Sequence, residues 1–205
     1  RFPGLGRTTT AVNDLSIFAK YILKENAATG SLISVGGMMT LPTGPDTFAN
    51  ADYIRAVHTT TFQPFLGYIL NLGDFYLHGF SAVEFPVNPS DVTIMYNDVG
   101  VGYWLYRSTE ADSLISAIAP TFEVHVNTPL NHRHPFDRFD IAGTPDVVNF
   151  TYGLNVGLGQ KSMLTFGLVQ PMTAPKPFDY EAVVQLNVRF GPNRGPLTAP
   201  VIGGP

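Results

Sequence analysis

The sequence predicts an all-β chain, an antiparallel transmembrane β-barrel of about 12 strands, of which about nine lie in these 205 residues. Three observations carry that expectation. The first is period-two alternation. From Glu181 to Phe190, Ala182, Val184, Leu186, Val188 and Phe190 alternate with Glu181, Gln185, Asn187 and Arg189, and only Val183 breaks the set. Such a strand has two unlike faces. The second is composition. Charged residues make up 14% of the chain, against roughly 25% in ordinary soluble proteins, and aromatics reach 12%. The third is the connections, which alternate between short turns and long loops.

The strands follow in order. The first spans about Asn13 to Lys24, with Leu15, Ile17, Ala19, Tyr21 and Leu23 opposed to Asp14, Ser16, Lys20 and Lys24. After the turn at Asn26–Gly30, the second spans Ser31 to Pro42, with Ile33, Val35, Met39 and Leu41 against Ser34, Gly36 and Thr40. The third is Phe62–Leu72, and the tight turn Asn71–Asp74 leads to the fourth, Phe75–Phe85. The fifth spans Val92 to Tyr106. Its second half sets Val99, Val101, Tyr103 and Leu105 against Asp98, Gly100, Gly102 and Trp104, and its first half leaves the faces open. The sixth, Ile115–Asn127, is the cleanest: Phe122, Val124 and Val126 alternate with Thr121, Glu123, His125 and Asn127. The seventh, Val147–Leu158, opposes Val148, Phe150, Tyr152, Leu154, Val156 and Leu158 to Asn149, Thr151 and Asn155. The eighth is Ser162–Gln170, and the ninth is Glu181–Phe190. Residues 1–12 form a lead-in, 13–190 the strands, and 191–205 a Pro- and Gly-rich tail.

Composition alone also suits a soluble β-sandwich. The connections favour the barrel, and a soluble β-sandwich with a binding face stands as a third reading. Asn26–Gly30, Asn71–Asp74, Arg107–Leu114 and Gly159–Lys161 are short, whereas Thr43–Thr61, Pro86–Asp91, Thr128–Asp146 and Pro171–Asp179 are longer or Pro-rich. Short turns at one end and long loops at the other are a barrel asymmetry, with the turns periplasmic. The low-charge stretch Asn26–Pro45 is too rich in Gly, Ser, Thr and Pro for a transmembrane helix. An odd strand count leaves two unpaired edges, which lipid cannot satisfy. Further strands are therefore expected, from the same polypeptide or a second chain. No signal-peptide pattern opens the sequence, which points to mature or truncated material.

Thr121–Asn131, Val169-Gln170-Pro171, Pro177–Glu181 and Leu186–Phe190 resemble the outer-membrane transporters labelled the "MetA-pathway of phenol degradation" family. Asn13-Asp14-Leu15 and Leu41–Gly44 resemble its more N-terminal pattern, so the likeness covers roughly residues 10 to 191. The resemblance implies a barrel of about a dozen strands, related in style to hydrophobic-compound channels, with no catalytic residue. The tail past Phe190 and the absence of the family's N-terminal strands depart from it.

The interior is expected to be lined by Asp14, Lys20, Asp98, Glu123, His125, Asn127, Asn155, Glu181, Gln185, Asn187 and Arg189, with the charges among them forming cross-strand pairs. Glu123, His125 and Asn127 share a face and could bind protons or a metal, but barrel interiors are polar without such a role. His132, His134, Asp137 and Asp140 cluster in one long loop, and a solvated loop needs no ligand to explain them. Gly157–Ser162 lacks phosphate-loop spacing. Asn149-Phe150-Thr151, a glycosylation pattern, sits mid-strand. A hydrolase would need a Ser beside His125, and none is placed.

No cysteine is present, so thiolate metal sites and disulfides are excluded. A net charge of -4 without a basic cluster argues against nucleic acid. The expectation is a non-enzymatic channel or transporter for small compounds, hydrophobic ones included, in the outer membrane of a Gram-negative-type bacterium. The alternative is a structural barrel anchoring an envelope assembly. No cofactor is expected. The partners are membrane lipid, a small solute, and a protein held by the tail through Leu197, Val201 and Ile202.

Overall fold

The computed structural model describes residues 12–45, 58–110, 112–133, 145–174, 176 and 178–190. All regular structure among them is β. The strands are β1 (Leu15–Asn26), β2 (Ser31–Leu41), β3 (Thr61–Leu72), β4 (Phe75–Pro86), β5 (Ile94–Tyr103), β6 (Tyr106–Arg107), β7 (Ile115–Pro129), β8 (Val147–Leu158), β9 (Ser162–Pro171) and β10 (Glu181–Val188). They form one antiparallel sheet in the order β1-β2-β3-β4-β5-β7-β8-β9-β10, and β6 also pairs with β7. Neighbours in sequence are neighbours in space, as a meander requires. Among the described residues, β1 and β10 pair on one side only.

The nine expected strands are present, with one split. The fifth divides into β5 and β6 because its partner β7 contains Pro120. Gly102 stands opposite Thr121, but Tyr106 stands opposite Ile118, so one extra residue is inserted at Trp104–Leu105. Proline cannot donate to the ladder, and a bulge beside it absorbs the loss. The ninth expected strand also ends earlier, at Val188. The Arg189 amide still donates to the Lys161 carbonyl at 2.8 Å.

The register assigns the faces. Opposite residues in an antiparallel pair share a face. On β8 and β9, Asn155 faces Thr165 and Leu154 faces Phe166. Asn155 is 1% exposed and Leu154 39%. The same inversion recurs along the sheet beyond β1, which is exposed on both faces. Gln63, Tyr76, Thr121 and Glu123 are buried, while Leu66, Leu70, Leu77, Val99, Leu168, Val184 and Leu186 are exposed. Among the described residues all strands belong to one sheet. The more buried, polar face is the inner one.

Two positions refine the expected faces. A register shift between Ile22 and Lys24 puts Lys24 opposite Ile33 on the apolar face, rather than beside Lys20. In the first half of β5, Tyr96 and Asp98 turn inward, and Met95 and Asn97 outward. Asn97 is a polar group on the outer face, and its side-chain oxygen accepts from the Ser81 hydroxyl at 3.0 Å.

The largest buried apolar cluster lies on the inner face near the short turns. Tyr76 and Trp104 pack at 5.3 Å between ring centroids, beside Ala117 and Ala119. Tyr76 lies flat along the wall, its ring occupying the space a side chain at Gly102 would take. Substituting Gly102→Val should lower stability by about 1–3 kcal/mol, because the ring and the neighbouring strands cannot both keep their places. Gly37→Val, where nothing lies within 4 Å, should change it far less. Denaturant unfolding of the two variants side by side tests the assignment. Equal effects would contradict it.

Candidate functional site on the polar face

Of the eleven residues expected inside, nine share the inner face by register. These are Lys20, Asp98, Glu123, His125, Asn127, Asn155, Glu181, Gln185 and Asn187. Asp14 precedes β1 and Arg189 follows β10. The structure brings Asp98, Glu123 and His125 together. It spreads the others along the wall.

The site is built on β5. His78 on β4, Gly100 on β5, Glu123 on β7 and Thr151 on β8 stand in one row. The next row carries Phe80, Asp98, His125 and Asn149. A side chain at position 100 would take the space held by the His78 ring and the Glu123 side chain. With glycine there, the His78 ring and the Glu123 side chain meet over the bare backbone. His78 Nε2 lies 3.9 Å from Glu123 Oε1. Asp98 lies 3.0 Å from His125 Nδ1. His125 Nε2 is 2.9 Å from the Thr151 hydroxyl and 3.4 Å from Glu123 Oε2.

This connectivity can hold and release a proton. Protonated on both nitrogens, His125 donates to Asp98 and toward Glu123 at once. Protonated on Nδ1 alone, it donates to Asp98 and accepts from Thr151. Thr151, His125 and Asp98 also have the order of a nucleophile, base and orienting acid. The β8 amides around Thr151 serve the ladder on both sides, so that strand offers no oxyanion donor. The arrangement reads as a polar cluster rather than an acyl-transfer site.

Sequence reasoning missed four contributors: His78, Thr151, Tyr76 and Glu84. Glu84 Oε2 accepts from the Tyr96 hydroxyl at 3.1 Å. Tyr76 stacks beside His78 at 5.8 Å. The available signal was the glycine pair Gly100 and Gly102 on one face of a strand, which requires large neighbours to fill it.

The expected cross-strand charge pairs form only in part. Asp98 pairs with His125, but Lys20, Glu181 and Arg189 make no ion pair among the described residues. Asp14 instead ties the first long loop to β1. Its Oδ1 lies 2.8 Å from His58 Nε2 and accepts from the Gly44 amide at 2.8 Å. In the later loop, His132 Nε2 lies 3.0 Å from the Pro89 carbonyl oxygen. His134, Asp137 and Asp140 lie outside the described residues. So do residues 191–205 and the anchors Leu197, Val201 and Ile202. Among the described residues, no group of three or more His, Asp or Glu side chains has the geometry to hold a metal ion. No family model and no curated protein matches the chain.

The Asp14 clasp gives a pH prediction. The His58 hydrogen bond, helped by the Gly44 amide, holds the Asp14 carboxyl below the ordinary carboxylate value. A depressed folded value means that the clasp contributes above the unfolded pKa of about 3.9 and is lost as pH falls through the lower, folded value. The Gly44 amide resonance should therefore keep its hydrogen-bonded shift down to about pH 4 and move only below it. Asp14→Asn should displace that resonance at neutral pH. A transition well above pH 4 in the unaltered protein would contradict the clasp.

Proposed function

We propose that this chain forms the wall of an outer-membrane β-barrel that passes small solutes. The observation that carries the reading is the inversion of the sheet, with polar side chains buried on the inner face and large apolar ones exposed on the outer. In water that arrangement is unfavourable. In a bilayer it is the expected one.

Two aromatic belts support it. Phe62 and Phe85 stand opposite each other on the outer face at the long-loop end of β3 and β4. Phe75 and Tyr103 pack at 4.7 Å at the short-turn end of β4 and β5. Phe75 and Phe85 are ten residues apart, roughly 34 Å along a strand, or about 25 Å along the normal at a 35–45° tilt. That matches the usual apolar band of about 25 Å.

The edges support closure by further strands. Nine antiparallel strands make β1 and β10 run the same way. Antiparallel closure therefore needs an odd number of additional strands, and three give about twelve. A passive route for small compounds, hydrophobic ones included, follows from a wall whose inner face is polar but lightly charged. No chemistry is assigned to it.

Two measurements test the reading. The protein should partition with detergent and, reconstituted, conduct ions or swell liposomes in small solutes. Remaining soluble without detergent would contradict it. Leu154→Arg should cost about 2–4 kcal/mol in a folding assay in bilayers if the position lies near the midplane. A neutral effect would place β8 away from lipid.

A further inference from the structure

We propose that the inner face is a cation-selective wall, so that the solutes it favours are cationic or neutral rather than anionic. The inference rests on the channel reading above.

Carboxylates predominate over basic groups on the inner face. β2, β3, β4, β5, β7, β8, β9 and β10 contain no Lys or Arg. Their carboxylates are Glu84, Asp98, Glu123 and Glu181, and register puts all four on the inner face. Two basic groups, Lys20 and Arg107, share that face by register. Lys20 is on the edge strand β1. The register shift in β1 turns Lys24 outward. Arg107, near the short turns, pairs with Asp74 and lies 5.7 Å above the Trp104 ring.

A second observation points to a ligand on the same face. The Tyr76 hydroxyl belongs to a fully buried residue, lies within electrostatic reach of Glu123, and faces the Asn155 amide from outside hydrogen-bond geometry. Asn149 Oδ1, in the row of Asp98 and His125, is buried without a hydrogen-bond partner among the described residues. Oxygen atoms left unpaired beside carboxylates suit a solute that brings positive charge or N–H and O–H donors. Carboxylate-lined walls select cations in channels. Their field extends about 10 Å at 0.1 M salt but only about 3 Å at 1 M.

The test is the reversal potential of the reconstituted full chain in planar bilayers under a KCl gradient. The expected result is a potassium-to-chloride permeability ratio above unity near 0.1 M, falling toward unity near 1 M as screening shortens the field. Asp98→Asn and Glu84→Gln should each lower the low-salt ratio. They lie in different hydrogen-bond groups, so misfolding of one leaves the other informative. The unaltered protein decides the sign without any substitution. A conducting channel with a ratio at or below unity in low salt overturns the selectivity while leaving the channel reading intact. A protein that inserts but never conducts overturns both.

Discussion

Among the described residues the sheet has a single layer, and its apolar face has no protein to lie against. Everything else in the structure answers to that constraint. Leaving one Leu, Val or Phe side chain in water forfeits about 1.5–3 kcal/mol of burial. Leu66, Leu70, Leu77, Val99, Leu154, Phe166, Leu168, Val184 and Leu186 all lie exposed on that face. These side chains are about half exposed, so the loss summed over such a row is comparable with the whole net stability of an ordinary domain, about 5–15 kcal/mol. A nonaqueous surrounding removes the penalty. It also removes water as a hydrogen-bond partner, so cohesion falls to the ladder. The long strands, sequential pairing and near-continuous register meet the demand that the proposed bilayer setting would make.

The same constraint shapes the inner face. With no opposing layer, side chains there must pack along the wall rather than into a core. Tyr76 folds over Gly102 and His78 over Gly100, each covering the strand beside it. This flat packing brings His78, Asp98, Glu123 and His125 within reach of one another, although they come from three strands. The polar cluster is thus a product of how the wall packs. It places two carboxylates against two imidazoles.

Much of the fold was legible because period two is a strong signal over ten residues. Glu123 and Val124 can face opposite ways only in a strand, and their sequence states which way each prefers. The first half of β5 was not legible, because Met95, Tyr96 and Asn97 mix apolar and polar character on both faces. The inserted residue beside Pro120 was missed because the effect of a proline falls on the partner strand. The site was half legible. Glu123 and His125 announce themselves by alternation on one strand. His78 and Thr151 join them through register, which no single strand encodes. The pairing of Asp14 with His58 depends on where a long loop returns, and local pattern carries no information on that.

The most direct test of the inverted sheet is a scan of single cysteines from Thr121 to Asn127, made possible by the absence of native cysteine. Each would carry a spin label in protein reconstituted into bilayers, with accessibility measured to oxygen and to a water-soluble nickel chelate. The account predicts a two-residue period, with labels at Phe122, Val124 and Val126 favouring oxygen and labels at Glu123 and His125 favouring the chelate. Equal aqueous access at every position, or the opposite phase, would contradict it.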